Sequence, residues 1–191
     1  MGRRFGSLAL SIAAALAIAS PLFADSYKVD PVHSGASFRI GHLGVGRVQG
    51  RFDEVNGSFT LEADATKNTF DISMPTAKLD TNNSARDTHV RGPDFFNSAE
   101  FKEITFKSTQ VAKVDDTHFN VTGDLTVHGV TKSITLAVEK IGQADLPPPL
   151  GSRAGLEAVF TIKRSDFGMA FMADKIGDDV MLIVDLEGTK Q

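Results

Sequence analysis

"VTGDLTVHGVTKSITLAV" (Val121–Val138) carries the period that decides the fold. Val121, Leu125 and Val127 alternate with Thr122, Asp124, Thr126 and His128, and Ile134, Leu136 and Val138 continue the alternation beyond Gly129. A period of two places apolar side chains on one face of an extended chain and polar ones on the other. His128-Gly129 sits where two such runs meet, a short turn signal of the hairpin kind.

The same period extends in both directions. Phe38 and Ile40 alternate with Ser37 and Arg39, Phe59 and Leu61 with Ser58 and Thr60, and Phe70, Ile72 and Met74 enclose Asp71 and Ser73. Ile104 and Phe106 follow, then Leu156, Ala158, Phe160 and Ile162, and last Val180, Leu182, Val184 and Leu186. These are roughly eight strands with one dry face each, which predicts an all-β antiparallel domain. "EVNGSF" predicts another strand junction at Asn56-Gly57, "KVDDTHF" a hairpin tip, and "ADLPPPLGSRAG" a proline-rich loop between long strands. Helix is predicted only over Asn83–Val90 and, after it, Pro93–Ala99, as a short insertion. A sandwich and a closed barrel both satisfy this pattern. An eight-stranded barrel has room for packed side chains or one small ligand. The 14 Phe and absent Trp supply large apolar area without a polar handle, for a core or a cavity.

The first residues read as an export signal: Arg3 and Arg4, an apolar run Leu8–Ala19, then small residues. The run is too short to span a bilayer comfortably. Cleavage is expected after Ala24, with Ala19 competing; Gly6 and Ser7 argue against the twin-arginine route. Removal of 24 of the 191 residues leaves 167, one domain over 25–191, and losing both arginines takes the formal net charge from −4 to −6. An acidic surface argues against nucleic acid, and against an anionic membrane as an electrostatic partner. With no cysteine the fold must hold by burial alone and offers no lipoprotein anchor, which suits a periplasmic protein.

No nucleophile elbow, P-loop or H-E-x-x-H motif occurs. Gly44, Gly46 and Gly50 of "GVGRVQG" fail dinucleotide spacing and suit a turn and a strand bend. His33 and Ser34 point to opposite faces if extended, which disfavours a nucleophile–base pair. His33, His42, Asp87 and His89 could converge on a metal, giving the alternative reading of a secreted metal-dependent hydrolase, although no spacing among them is diagnostic. "ARDTHVRGPDFF" (Ala85–Phe96) concentrates Arg86, Asp87, His89 and Arg91 before Phe95 and Phe96. The charged half reads as a latch that satisfies loop backbone, the aromatic half as a pocket wall.

"VDPVHSGASFRIGHLGVGRVQGRF", "LDTNNSARDTHVRGPDFFNSAEFKEITFKST", "VTGDLTVHGVTKSITLAV", "IKRSDFGM" and "IGDDVMLIVDLE" together resemble the YceI-like, polyisoprenoid-binding proteins, over nearly the whole chain after the signal. Asp30, His33, Ser34 and His42 fall on the first motif of that family, and Arg164, Asp166, Phe167 and Gly168 on a late one. Lys102 stands where such sequences usually have Pro, and the wall around Met172 and Ala173 cannot be transferred. The resemblance implies an extended eight-stranded antiparallel lipocalin-like β-barrel. It further implies a periplasmic, non-enzymatic protein that transports or stores a long isoprenoid lipid: a polyprenol, polyprenyl phosphate or quinone. The expected contacts are Phe38, His42, Phe52, Phe59, Phe95, Phe96, Phe106, Phe160, Phe167, Arg86 and His89. No cofactor or metal is expected beside the lipid. The further partners to test are a membrane, touched transiently, and a second copy in a homodimer.

Overall fold

The computed structural model describes residues 25–191, so the expected signal segment lies outside the described residues. Eleven strand segments make one antiparallel sheet: β1 (Asp25–Val29), β2 (Gly35–His42), β3 (Gly46–Phe52), β4 (Asn56–Leu61), β5 (Phe70–Pro75), β6 (Leu79–Asp80), β7 (Glu103–Lys113), β8 (His118–Val127), β9 (Val130–Asp145), β10 (Ser152–Lys163) and β11 (Ile176–Lys190). Eight of them, in the order β1-β4-β5-β7-β8-β9-β10-β11, close into a ring because β1 also pairs with β11. The fold is thus a closed eight-stranded antiparallel barrel with one short helix.

The remaining three segments continue strands of the ring past a break. β11 faces β1 with Gly188 opposite Val29, then β2 with Asp185 opposite Gly35, so 25–42 is one strand interrupted at 30–34. β4 and β3 pair with β1 and β2 respectively, and β5 and β6 with β4 and β3, repeating the same interruption twice. The first break is chemically fixed. Pro31 has no N–H for a ladder, and Asp30 Oδ1 accepts from the Val32 amide at 3.0 Å. Asp30 Oδ2 accepts from Arg153 at 2.9 Å, and the same guanidinium nitrogen also donates to Glu187 on β11.

The expected turns are found at His128-Gly129, whose φ values of 50° and 74° are those of a two-residue hairpin turn, and at the β7–β8 and β9–β10 tips. Asn56-Gly57 is a correction: these residues start β4 instead of turning the chain. Gly57 is needed for close approach, since a Cβ there would lie 2.0 Å from the Asp71 carbonyl oxygen of β5, at a φ of 128°. The helix α1 (Ser84–Arg91) forms where expected, and the Asn83 side chain accepts from the Arg86 amide at 3.0 Å. Pro93–Ala99 is not helical but a chain of turns, in which the Asn97 amide reaches back to the Gly92 carbonyl and Asn97 itself adopts φ 43°.

Inward residues divide by height. Around β1 and β4 the barrel is solid: Tyr27, Phe59 and Val121 are at most 1% exposed, and the Tyr27, Phe59 and Phe70 rings stack in series at 5.2 and 6.4 Å. Around β2, β3 and α1 it is hollow.

Candidate functional site: an apolar cavity with a polar mouth

A cavity of about 290 Å³ occupies the end of the barrel beside α1. Its walls are Phe38 and Ile40 of β2, Phe52 of β3, Val90 of α1, Phe95 and Phe96 beyond it, and Phe160, Val180 and Leu182 of the long strands. A smaller space of about 70 Å³ lies deeper, apolar except for Glu157, and bordered by Phe70, Phe106, Val121 and Leu186. Met74, Ile104, Leu125 and Phe160 border both, so the two lie end to end in the barrel. Phe96 meets Phe52 edge-on at 5.7 Å, which joins the loop after α1 to the strand wall.

Five polar side chains border the larger cavity: His42, Thr81, Arg86, His89 and Arg164. Thr81 is buried and works as a hub. Its amide and hydroxyl donate to Asp87 Oδ1 at 2.8 and 2.6 Å, while its hydroxyl and carbonyl accept from Arg86 at 2.7 and 2.6 Å. Arg91 donates to the Leu79 carbonyl. Asp87, Arg86 and Arg91 therefore pin α1 to the end of β6, which is the latch geometry. The Thr81 hydroxyl in particular holds the Asp87 carboxyl below the usual aspartate range. His89 bonds Asp94 at 2.9 Å and packs edge-on against Phe95 and Phe171, at 5.2 and 5.5 Å.

Of the expected contact residues, Phe38, His42, Phe52, Phe95, Phe96, Phe160, Arg86 and His89 line the larger cavity, and Phe106 lines the smaller. Phe59 and Phe167 line neither. Phe59 belongs to the stacked core, and Phe167 is buried in the 3₁₀ turn Arg164–Phe167, its carbonyl accepting from His128 at 3.2 Å. His33, His42, Asp87 and His89 do not converge. Asp87 is committed to Thr81 and His89 to Asp94, while His33 bonds Asp30 at 2.9 Å at the strand break. Among the described residues the one grouping with metal-ligand spacing is Asp30, His33 and Glu187, and Arg153 already bridges its two carboxylates.

Arg164 was outside the expected contact set although its motif was visible in the sequence. It is 4% exposed and donates to the carbonyls of Met169, Phe171, Ile176 and Gly177 at 2.7–2.9 Å. The guanidinium thereby shapes the loop that brings Met169, Met172 and Ile176 to the cavity wall. A buried arginine spent wholly on backbone carbonyls has no signature in periodicity.

A closed antiparallel barrel, solid at one end and hollow at the other, defines the class of protein: a β-barrel with an internal apolar ligand cavity. The chain belongs to the YceI-like family, whose domain matches residues 27–188. Protein YceI of Escherichia coli O157:H7 is 38% identical over 194 residues, covering 100% of this chain and 97% of that one. Among solved structures, Burkholderia cenocepacia BcnA superposes with a TM-score of 0.76 at 23% identity, covering 84% of this chain and 99% of its own. A polyisoprenoid binding domain from Saccharophagus degradans superposes with a TM-score of 0.66 at 17% identity, over 86% and 98% of the two chains. At those identities the two structures speak to the fold.

Proposed function

We propose that this protein is exported to the periplasm and holds an isoprenoid lipid in the barrel, carrying or storing it rather than transforming it. The observation that carries the reading is the apolar cavity that continues down the barrel, from a larger space bordered by five polar side chains to a smaller one bordered by Glu157 alone. Such a space suits a long apolar chain with one polar terminus, because burial of each CH₂ contributes about 0.8 kcal/mol without any directional contact. The chain would lie among Phe38, Phe52, Phe96 and Phe160, and the polar terminus beside His42, Arg86 and His89. Family membership and the shared fold of a polyisoprenoid binding domain support the same ligand class. No helix among the described residues is long and apolar enough to cross a membrane.

Organic extraction of the purified protein followed by mass spectrometry tests this directly. Isoprenoid chains should appear in the extract, and added polyprenol or quinone should raise the melting temperature of delipidated protein. An empty extract together with an unmoved melting temperature overturns the reading.

A further inference from the structure

We infer that the β2–β3 hairpin and the neighbouring Phe171 form a docking surface for an anionic lipid bilayer, placed so that the cavity mouth faces the membrane. The mouth's role in this rests on the lipid-holding reading; the surface itself does not.

The hairpin tip is apolar where a turn has no structural need to be. Val45 is 88% exposed and Leu43 52%, on either side of Gly44. The Leu43 amide donates to the Lys175 carbonyl at 2.7 Å, which ties this tip to the loop carrying Phe171, itself 38% exposed. Phe171 packs on Phe95 at 5.5 Å, and Phe95 lines the cavity. Exposed apolar side chains thus run from the hairpin tip to the cavity wall.

Charge identifies the partner. Residues 35–52 hold Arg39, Arg47 and Arg51 and no carboxylate, within a chain whose net charge is −4. Arg51 pairs with Asp53 and Asp80, whereas Arg39 and Arg47 are exposed and make no ion pair among the described residues. The carboxylates around it are Asp94, bonded to His89, Asp178, bonded to Ser165, Asp174 beside Lys175, and Asp179 of β11, which Lys163 pairs at 2.8 Å. The overall negative charge argued against an anionic membrane, but the field near a surface is set by charges within about 8–10 Å. The hairpin's own formal charges are all arginines. Apolar residues flanked by unpaired arginines match the boundary between acyl chains and anionic headgroups.

Flotation with vesicles of phosphatidylethanolamine and phosphatidylglycerol tests the surface, with phosphatidylcholine vesicles as the neutral control. The wild type should float with the anionic vesicles at low salt and much less with the neutral ones. Val45→Asp, and separately the double change Arg39→Gln with Arg47→Gln, should each reduce flotation about tenfold or more. Leu43→Asn gives a second apolar test, because Asn accepts the φ of 54° found there. All these positions are exposed, so melting temperatures should stay close to wild type. Uptake of a polyprenol from detergent micelles should be unchanged in Val45→Asp. A wild type that does not float, or variants that float as well as it does, overturn the docking surface. Failure of wild type and variant alike to take polyprenol from detergent overturns the lipid-holding reading instead, and flotation then judges the surface alone.

Discussion

Asp87 and Phe96 lie nine residues apart and test opposite halves of the site. Asp87→Ala removes the acceptor of two bonds from the buried Thr81 and leaves its amide unpaired. The expected cost is about 1–3 kcal/mol, read as a lower melting temperature, with ligand binding retained by the folded fraction. The pH dependence has a definite sign. The Asp87 carboxyl is depressed by its bond from the Thr81 hydroxyl, so its stabilisation is present above the unfolded aspartate value near pH 4. It is lost as pH falls through the lower folded value. Asp30, lowered chiefly by its hydrogen bond with His33, acts in the same direction. The latch is therefore isolated by comparing wild type with Asp87→Asn: their melting temperatures should converge as the pH is lowered past 4. Phe96→Asp should do the reverse, placing a carboxylate on the cavity wall, where burying its charge is costly. Polyprenol titration should then show binding sharply weakened while circular dichroism still reports the barrel.

At the scale of elements, the strands were readable because a half-buried sheet enforces a period of two, and every alternating run fell within a strand. The three strand breaks were not readable. Pro31 is a local mark of the first, but that the strand resumes on the same neighbour depends on partners far along the chain, such as Arg153 reaching Asp30 and Glu187. No local pattern announces a pairing across 123 residues. Asn56-Gly57 misled for a related reason: the glycine answers to Asp71 of the adjacent strand rather than to a turn. The loop after Arg164 is the element most exposed to a single change. Arg164→Ala would strip four carbonyl bonds from it at once and leave those of Met169, Phe171, Ile176 and Gly177 to find water. Hydrogen exchange should quicken over residues 168–177 and stay slow in the strand ladders of β8 and β9. Equal protection of that loop in variant and wild type would show that the strands, not the arginine, hold it.

Over the whole molecule, the period of two separates inside from outside but says nothing of height along the barrel axis. Phe59 and Phe160 both point inward, yet one is stacked core and the other a cavity wall. Phe70 shows what that distinction does. It borders the deeper space on one side and stacks on Phe59, 6.4 Å away, on the other, so it forms the cavity floor. A floor made of one ring on a solid stack limits how far a chain can descend, and the upper limit on chain length should be set there. An engineered core cavity on the order of 150 Å³ admits a benzene-sized group, so the space left by truncating a phenylalanine here should take roughly one further isoprene unit. Phe70→Ala should lower the melting temperature of the empty protein, since such truncations cost about 3–5 kcal/mol. Binding to the folded form should restore part of that loss, more fully for a chain one unit longer than wild type prefers. Offered a ladder of polyprenols in competition, the variant should retain a distribution shifted to greater length, as read by mass spectrometry of the extract. An unshifted distribution would mean that surplus chain leaves through the mouth past His42 and His89, and that the floor measures nothing.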